Sequence, residues 1–267
     1  MSLAAARLTF LGTGTSHGVP MIGCTCDVCR SSDPRDTRLR PSVYLDVPGV
    51  AAILVDTSTD LRQQALTHHI TRVNAVLFTH SHADHVMGFD EVRRFNQMSG
   101  KPLPCYASEE TWRDLRQTFH YAFGPPPTQG GGVPRLEPHT ITGPFVAAGV
   151  PVVPVPLWHG RMPILGFRFG RFAYLTDCSG MPDESWPLLE GLDLVVLDAL
   201  RFRPHSSHYS VDQALEAAAR IGARRTLLTH MCHDVSYAAA NPTLPAGIEL
   251  AYDGLTLDVP VEIVQPA

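Results

Sequence analysis

An α/β fold made largely of short strands is what this sequence predicts, and three observations predict it. Short β-rich runs recur from end to end, and two helix-patterned stretches lie between them. Ligand-type side chains also stand where several of the runs stop. With 267 residues, 44% of them hydrophobic, the chain can bury a large core, as one big domain or as two small ones.

Arg7–Leu11, Val43–Val47, Ala51–Val55 and Ala75–Thr79 read as strands, being apolar and β-branched runs bounded by turn formers. Ser108 follows at the N-cap of a helix that sets Trp112, Leu115 and Phe119 on one face. Five more strands are expected at Val150–Leu157, Ile164–Phe169, Phe172–Thr176, Leu192–Leu197 and Arg225–Thr229. Between the last two, Ser210 to Ile221 reads as a helix with Val211, Leu215 and Ala218 on one stripe and Gly222 as its C-cap. Both stripes are ordinary core faces. The segment Gly124 to Pro134, rich in proline and glycine, excludes regular structure and reads as a surface loop flanking or covering a site. With no repeat and no clear linker, one domain spanning 1–267 is expected.

The formal charge of −5, with 13 histidines, gives no electrostatic footprint for nucleic acid. No run of about 18 apolar residues is present, so no membrane span is expected. Met1 to Arg7 is too short and too weakly apolar for a secretory signal, which points to a cytoplasmic protein. The cysteines are Cys24, Cys26, Cys29, Cys105, Cys178 and Cys232, and the crowding of the first three favours metal over cystines.

His80-Ser81-His82-Ala83-Asp84-His85 is an H-x-H-x-D-H cluster set against the end of the run Ala75–Thr79. Imidazole and carboxylate in one tight loop suit zinc, manganese or iron. His159, Asp177 and His230 each close a further apolar strand, the usual place for a site grafted onto a sheet.

This pattern resembles the metallo-β-lactamase superfamily, from about Leu8 to the C-terminus. The resemblance implies a four-layer αβ/βα sandwich with a dinuclear metal site along one edge of the paired sheets. It places one ion on His80, His82 and His159 and the other on Asp84, His85 and His230, with Asp177 bridging them. Two divalent ions about 3.5–4 Å apart activate water and clamp a phosphoryl or carbonyl oxygen, so hydrolysis needs no covalent intermediate. The active-site ions are expected to be zinc or manganese.

Cys24-x-Cys26-x-x-Cys29 supplies three thiolates of a closed structural zinc site, which wants four ligands. His233 is the expected fourth, with Cys232 as the alternative. The trio, together with a histidine three residues after His230, resembles the phosphoribosyl 1,2-cyclic phosphate phosphodiesterase family of bacterial phosphonate breakdown. In that family the corresponding residues hold a structural zinc. The pyrroloquinoline-quinone biosynthesis B proteins share such a zinc but typically lack the complete catalytic set.

Leu197-Asp198-Ala199 closes another strand, and His208 lies ten residues on, before the Val211 helix. The same phosphodiesterases have a histidine there, and the tRNA 3′-processing endonucleases have a comparable acidic residue and histidine. A carboxylate beside an imidazole fixes its tautomer and raises its pKa, which suits a proton donor to a leaving alkoxide. His208 is therefore expected as general acid or phosphate ligand, oriented by Asp198, and Asp84 joins these two as the catalytic residues. The glycine-rich loop Gly12 to Gly18, with His17, reads as a structural turn, and a role in holding an anion is the weaker reading. Arg161, Arg201 and Arg203 read as solvated, His205 as a decoy, and His68, His69, His120 and His139 as surface residues.

The expected function is a dinuclear-metal phosphodiesterase acting on a small phosphorylated ribose or nucleotide, without membrane or nucleic-acid partners and compatible with a homodimer. The alternatives are a tRNA 3′-processing ribonuclease, a lactone or thioester hydrolase, and an inactive cofactor-biosynthesis accessory. Only 18 positions separate His159 from Asp177, too few for the RNA-gripping arm those nucleases commonly insert there.

Overall fold

Residues 2–124 and 132–264 are described by the computed structural model, so most of the expected Pro/Gly loop, residues 125–131, lies outside the described residues. The strands in the first half are β1 (Ser2–Gly12), β2 (Ser42–Val47), β3 (Ala51–Val55), β4 (Ala75–Leu77), β5 (Leu103–Ala107) and β6 (Leu136–Thr140). The second half adds β7 (Phe145–Ala147), β8 (Val150–His159), β9 (Met162–Phe169), β10 (Phe172–Leu175), β11 (Leu194–Asp198), β12 (Arg225–Thr229) and β13 (Ile248–Leu250). The last strand, β14 (Thr256–Ile263), returns to the first sheet.

Two mixed seven-stranded sheets result, ordered β14-β1-β2-β3-β4-β5-β6 and β13-β12-β11-β10-β9-β8-β7. Each has an antiparallel part and a parallel part: β3 to β6 run parallel in the first sheet, and β10 to β13 in the second. Parallel strands end on the same edge, so the residues that follow them are collected there.

Three apolar clusters define the layers. Leu8, Phe10, Leu45 and Ile53 of the first sheet meet Phe167, Phe169, Tyr174 and Val196 of the second, forming the central core. On the outer side of the first sheet, Leu54, Val76 and Cys105 pack against helices α1 (Leu61–Thr67), α2 (Ala83–Val86), α3 (Val92–Ser99), α4 (Glu109–Thr118) and α5 (His120–Phe123). On the outer side of the second sheet, Val195, Leu197 and Leu228 meet α6 (Val211–Ile221) and α7 (Tyr237–Ala240). The order is helix, sheet, sheet, helix, the expected αβ/βα sandwich. Each fully buried Leu or Phe in these layers contributes about 1.5–3 kcal/mol over an exposed one.

Local chemistry explains the two helices expected from sequence. The Ser108 hydroxyl accepts from the Thr111 amide, and Ser210 with Gln213 forms a reciprocal capping box. Gly222 closes α6 at φ 67°, a conformation that favours glycine.

Several strand ends differ from expectation, β1 beginning at Ser2 rather than Arg7 and β11 running from Leu194 to Asp198 rather than from Leu192 to Leu197, and two of the differences bear on the site. The run through Ala75 ends as a strand at Leu77 because the Thr79 amide turns to the Asp56 carboxylate rather than a neighbouring strand. In contrast, β8 continues to His159, which pairs with Met162 across a tight turn containing Gly160 at φ 61°.

Candidate metal centres

The edge where the parallel strands stop is built from residues in unusual backbone conformations. Asp56 after β3, Asp177 after β10 and His230 after β12 all adopt the left-handed region, with φ of 62°, 60° and 63°. Such a conformation costs a non-glycine residue on the order of 1–3 kcal/mol and is held where surrounding structure demands it. All three side chains lie buried in one site. Gly88 lets the loop bearing the H-x-H-x-D-H cluster approach it, since a Cβ there would fall 2.1 Å from the Ser58 carbonyl oxygen.

The fold brings ligand atoms of six of the seven sequence-predicted dinuclear-site residues into two clusters that share Asp177, His80 with His82 and Asp84 with His85 and His230, and sets the His159 ring beside the first. Asp177 stands between two groups: its Oδ2 lies 3.3 Å from His80 Nε2, and its Oδ1 lies 3.3 Å from His85 Nε2 and in closer contact with His230 Nε2. Asp84 Oδ2 completes the second group, 3.5 Å from both His85 Nε2 and His230 Nε2. On the other side, His82 stacks edge-on to His80 and His159, with ring centroids 4.7 and 4.9 Å away. One carboxylate oxygen therefore faces each group, the arrangement a bridging ligand requires.

The nitrogens and oxygens turned inward are the test of whether a cation fits. His80 Nε2, His85 Nε2, His230 Nε2 and Asp177 Oδ1 are buried without any hydrogen-bond partner among the described residues. Buried polar atoms are rarely left unpaired, and a cluster of acceptors aimed at one another fits cations. The electrostatics agree. Burial opposes the charged forms of His85 and His230, yet the surrounding carboxylates, Asp177 foremost, outweigh it, raising His85 well above its ordinary value and pushing His230 up to about 10. Burial and the neighbouring His85 push His80 down to about 3.

The remaining ring nitrogens are locked by an outer set of acceptors, in which Asp56 is the residue the sequence reading missed. It accepts from His85 Nδ1 at 2.7 Å and from the Thr79 amide and hydroxyl, both at 2.8 Å. With the Thr79 hydroxyl donating to Asp56, its oxygen accepts from His80 Nδ1 at 3.0 Å. His159 Nδ1 donates to the Asp177 backbone carbonyl at 2.8 Å. In all three histidines Nδ1 is thus turned outward to an acceptor, which leaves Nε2 facing the centre. Asp56 was findable: it closes the Ala51–Val55 strand as His80 and His230 close theirs.

Asp198 is fully buried and faces two rings, with Oδ2 3.4 Å from His208 Nδ1 and Oδ1 3.4 Å from His230 Nδ1. The expectation had it serving His208 alone. Its Oδ2 also accepts from the Tyr209 amide at 3.0 Å, which ties down the loop that holds His208. The His208 ring stacks on His230 at 4.9 Å and stands edge-on to His159 at 4.7 Å.

A second cluster joins the N-terminal and C-terminal parts of the chain. Ligand atoms of Cys24, Cys26, Cys29 and His233 all lie within 4.8 Å of one another, a spacing compatible with one tetrahedral ion. His233 Nδ1 is 3.2 Å from Cys24 Sγ and 3.4 Å from Cys26 Sγ. Cys232 stands apart, its sulfur accepting from the Asp234 amide. The Cys29 amide, then His233, lower the Cys26 thiol to about 6, whereas burial pushes Cys29 up to about 11. All six cysteines are free. His17, Arg201, Arg203 and His205 border a cavity beside His208, whereas Arg161 is exposed. His68, His69, His120 and His139 belong to neither cluster.

Comparison with known proteins follows the same outline. The family described as the Beta-lactamase superfamily domain matches residues 51–231. A crystal structure of a diphosphatase from the PhnP family is 44% identical, with a TM-score of 0.91 over 97% of this chain and 99% of that one. Zinc-bound PqqB from Methylobacterium extorquens, 19% identical, shares the fold at a TM-score of 0.76 over 95% of this chain and all (100%) of that one. A Porphyromonas gingivalis protein named octanoyltransferase is 38% identical over 251 residues, which are 93% of this chain and 51% of that protein. The chain spans about half or less of the curated relatives it matches.

Proposed function

This chain belongs to the metallo-β-lactamase superfamily, in its PhnP type, as a metal-dependent hydrolase, and we propose that it is a phosphodiesterase for a small phosphorylated ribose or nucleotide. A cyclic phosphate of the phosphoribosyl 1,2 kind is the substrate we favour. The observation that supports this reading above others is His208, stacked beside the ligand histidines and backed by a buried carboxylate. A thioester hydrolase expels a thiolate, which leaves without a proton, whereas a sugar alkoxide is a poor leaving group and must be protonated as it departs.

On this reading His80, His82 and His159 hold one ion, Asp84, His85 and His230 the other, and Asp177 spans both. Zinc or manganese suits these ligands, and when bound the pair supplies an activated water and charge stabilisation at the phosphoryl oxygens. Asp84 stays ionised despite its burial because His85 and His230 face it, and it orients the incoming nucleophile. His208 gives its proton from Nε2 to the leaving oxygen while Asp198 steadies Nδ1. Cys24, Cys26, Cys29 and His233 hold a structural zinc. We place the whole chain, 1–267, in one domain, since both sheets share one core.

The diphosphatase neighbour supports phosphoryl chemistry. The name octanoyltransferase belongs to a protein about twice as long, so we take no acyl transfer from it. β9 and β10 occupy the interval between His159 and Asp177, leaving no nuclease arm there. Among the described residues no helix is long and apolar enough to cross a membrane. A panel of bis-p-nitrophenyl phosphate, 2′,3′-cyclic nucleotides, a ribosyl cyclic phosphate, an acyl lactone and a precursor tRNA tests the proposal. Turnover of the diesters is expected; turnover of the lactone with none of the diesters overturns it.

A further inference from the structure

Neither Asp36 nor Arg38 stands in a recognisable motif, yet both lie buried beside the cysteine–histidine cluster. The Arg38 side chain is fully shielded, which a guanidinium seldom is unless paired. Its Nη2 donates to Asp36 Oδ1 at 2.9 Å and to the Val235 carbonyl at 2.7 Å, while Nη1 donates to the Cys232 carbonyl at 3.0 Å. Those two carbonyls flank His233 on either side along the chain. Asp36 Oδ1 also accepts from the Tyr237 amide at 2.7 Å, and the Arg35 guanidinium lies 4.1 Å from the centroid of the Tyr237 ring. The segment from Cys232 to Tyr237 is thus fastened along its length.

The main chain of Arg38 grips the other half of the cluster. Its amide donates to the Val19 carbonyl at 2.7 Å and its carbonyl accepts from the Val19 amide at 2.8 Å, just ahead of the loop that carries Cys24, Cys26 and Cys29. Gly14 makes room for this crossing, since a Cβ there would fall 2.9 Å from both the Arg38 Cβ and the Arg38 carbonyl oxygen. One residue therefore holds the cysteine-bearing chain with its backbone and the histidine-bearing chain with its side chain. A buried ion pair kept only for stability has no need of this placement, and such pairs are often replaceable by apolar side chains without loss. Reaching carbonyls on both sides of one ligand is what the planar fork of a guanidinium supplies.

We propose that Arg38, with Asp36, is a positioning residue for the cysteine–histidine centre. It sets His233 opposite the three thiols, so the protein, and not an ion alone, determines where the fourth ligand stands. The inference rests on reading Cys24, Cys26, Cys29 and His233 as a metal site. The same segment starts at His230, so the fork that fixes His233 also limits how far that ligand of the dinuclear site can shift.

Cobalt(II) loaded into the whole chain tests it, because thiolate-to-cobalt absorption reports this centre and not the dinuclear one, whose proposed ligands include no sulfur. Chelator competition followed at that band measures the affinity. Arg38→Met should lower it by about 10–100-fold, the usual cost of losing a group that orients a ligand. Combination with His233→Ala is the decisive comparison: if Arg38 acts through His233, the double variant should bind cobalt no more weakly than His233→Ala alone. A general loss of stability would instead weaken the site in both backgrounds. Arg38→Lys keeps a charge beside Asp36 but cannot span both carbonyls, and it carries the same comparison if the methionine variant does not fold. Unchanged affinity in a folded Arg38 variant, or additive losses in the double variant, overturns the proposal while leaving the metal site standing. If wild type gives no thiolate-to-cobalt band, the cluster is not a metal site, and that reading falls together with the proposal.

Discussion

Asp56 accepts a hydrogen bond from His85 Nδ1 at 2.7 Å, with both side chains fully shielded from solvent. Through Thr79 the same carboxylate also steadies His80, so one residue outside both ligand groups orients a histidine in each. Asp56→Asn should lower metal affinity at the dinuclear site by about 10–100-fold, because the amide cannot accept from every one of these donors. Competition with a chromophoric chelator measures it, and wild-type affinity in a folded variant would refute the role.

Removal of the His208 imidazole should have an effect that depends on the leaving group. His208→Ala is expected to slow a ribosyl or nucleoside cyclic phosphate by about 10²–10⁴-fold, the usual range for a proton donor. Bis-p-nitrophenyl phosphate, whose leaving group needs no proton, should lose far less. Equal losses on both would mean that His208 only binds.

Metal content should separate the two centres. Wild type is expected to hold about three ions per chain, two in the dinuclear site and one on the cysteines. Cys24→Ser should lose the structural ion and lower the Tm. It should also weaken the dinuclear site, since His230 and His233 share one loop. Elemental analysis with thermal unfolding reads both; three retained ions would exclude Cys24 as a ligand.

Away from the metals, Asp253 gives the fold a pH dependence of its own. Burial pushes its carboxyl up to about 7, against the Leu39 amide and the Thr13 hydroxyl and amide that favour its ionised form. The unfolded chain releases this proton near the usual value of about 3.9. Between about 4 and 7 the native state therefore holds more protons than the unfolded one, and stability falls as pH rises through that window. Asp253→Asn should remove this part of the slope, while losing some stability throughout because its amide opposes a donor. Urea midpoints from pH 4 to 8 test it; parallel slopes in both proteins would assign the titration elsewhere.

The parts of the site that could be read from sequence are those where ligand type and strand end coincide. His80, His159, Asp177 and His230 met both conditions, and the cysteine trio announced itself by spacing. Asp56 met both as well but has no motif around it, and its role exists only through Thr79 and His85. The fold was legible wherever apolar runs were dense. Helix α1, with the sequence LRQQALT, and α3, VRRFNQMS, were missed because few apolar residues mark their buried faces. Strand β5, LPCYA, is short and interrupted by proline, and β14 alternates as an edge strand only once its pairing with β1 is known. The link between Asp198 and His230 depends on how β11 and β12 align, which no local pattern encodes.

The reach of the Cys24–His233 contact, 209 residues along the chain, bears on how the protein is made. Closing so long a loop waits until both ends exist, and the same holds for the meeting of His85 with His230. A ribosome that has released the H-x-H-x-D-H loop has made the most recognisable part of the site and none of its function. A chain that ends before β12 therefore lacks both His230 and His233, one member of each cluster, whatever else it has folded.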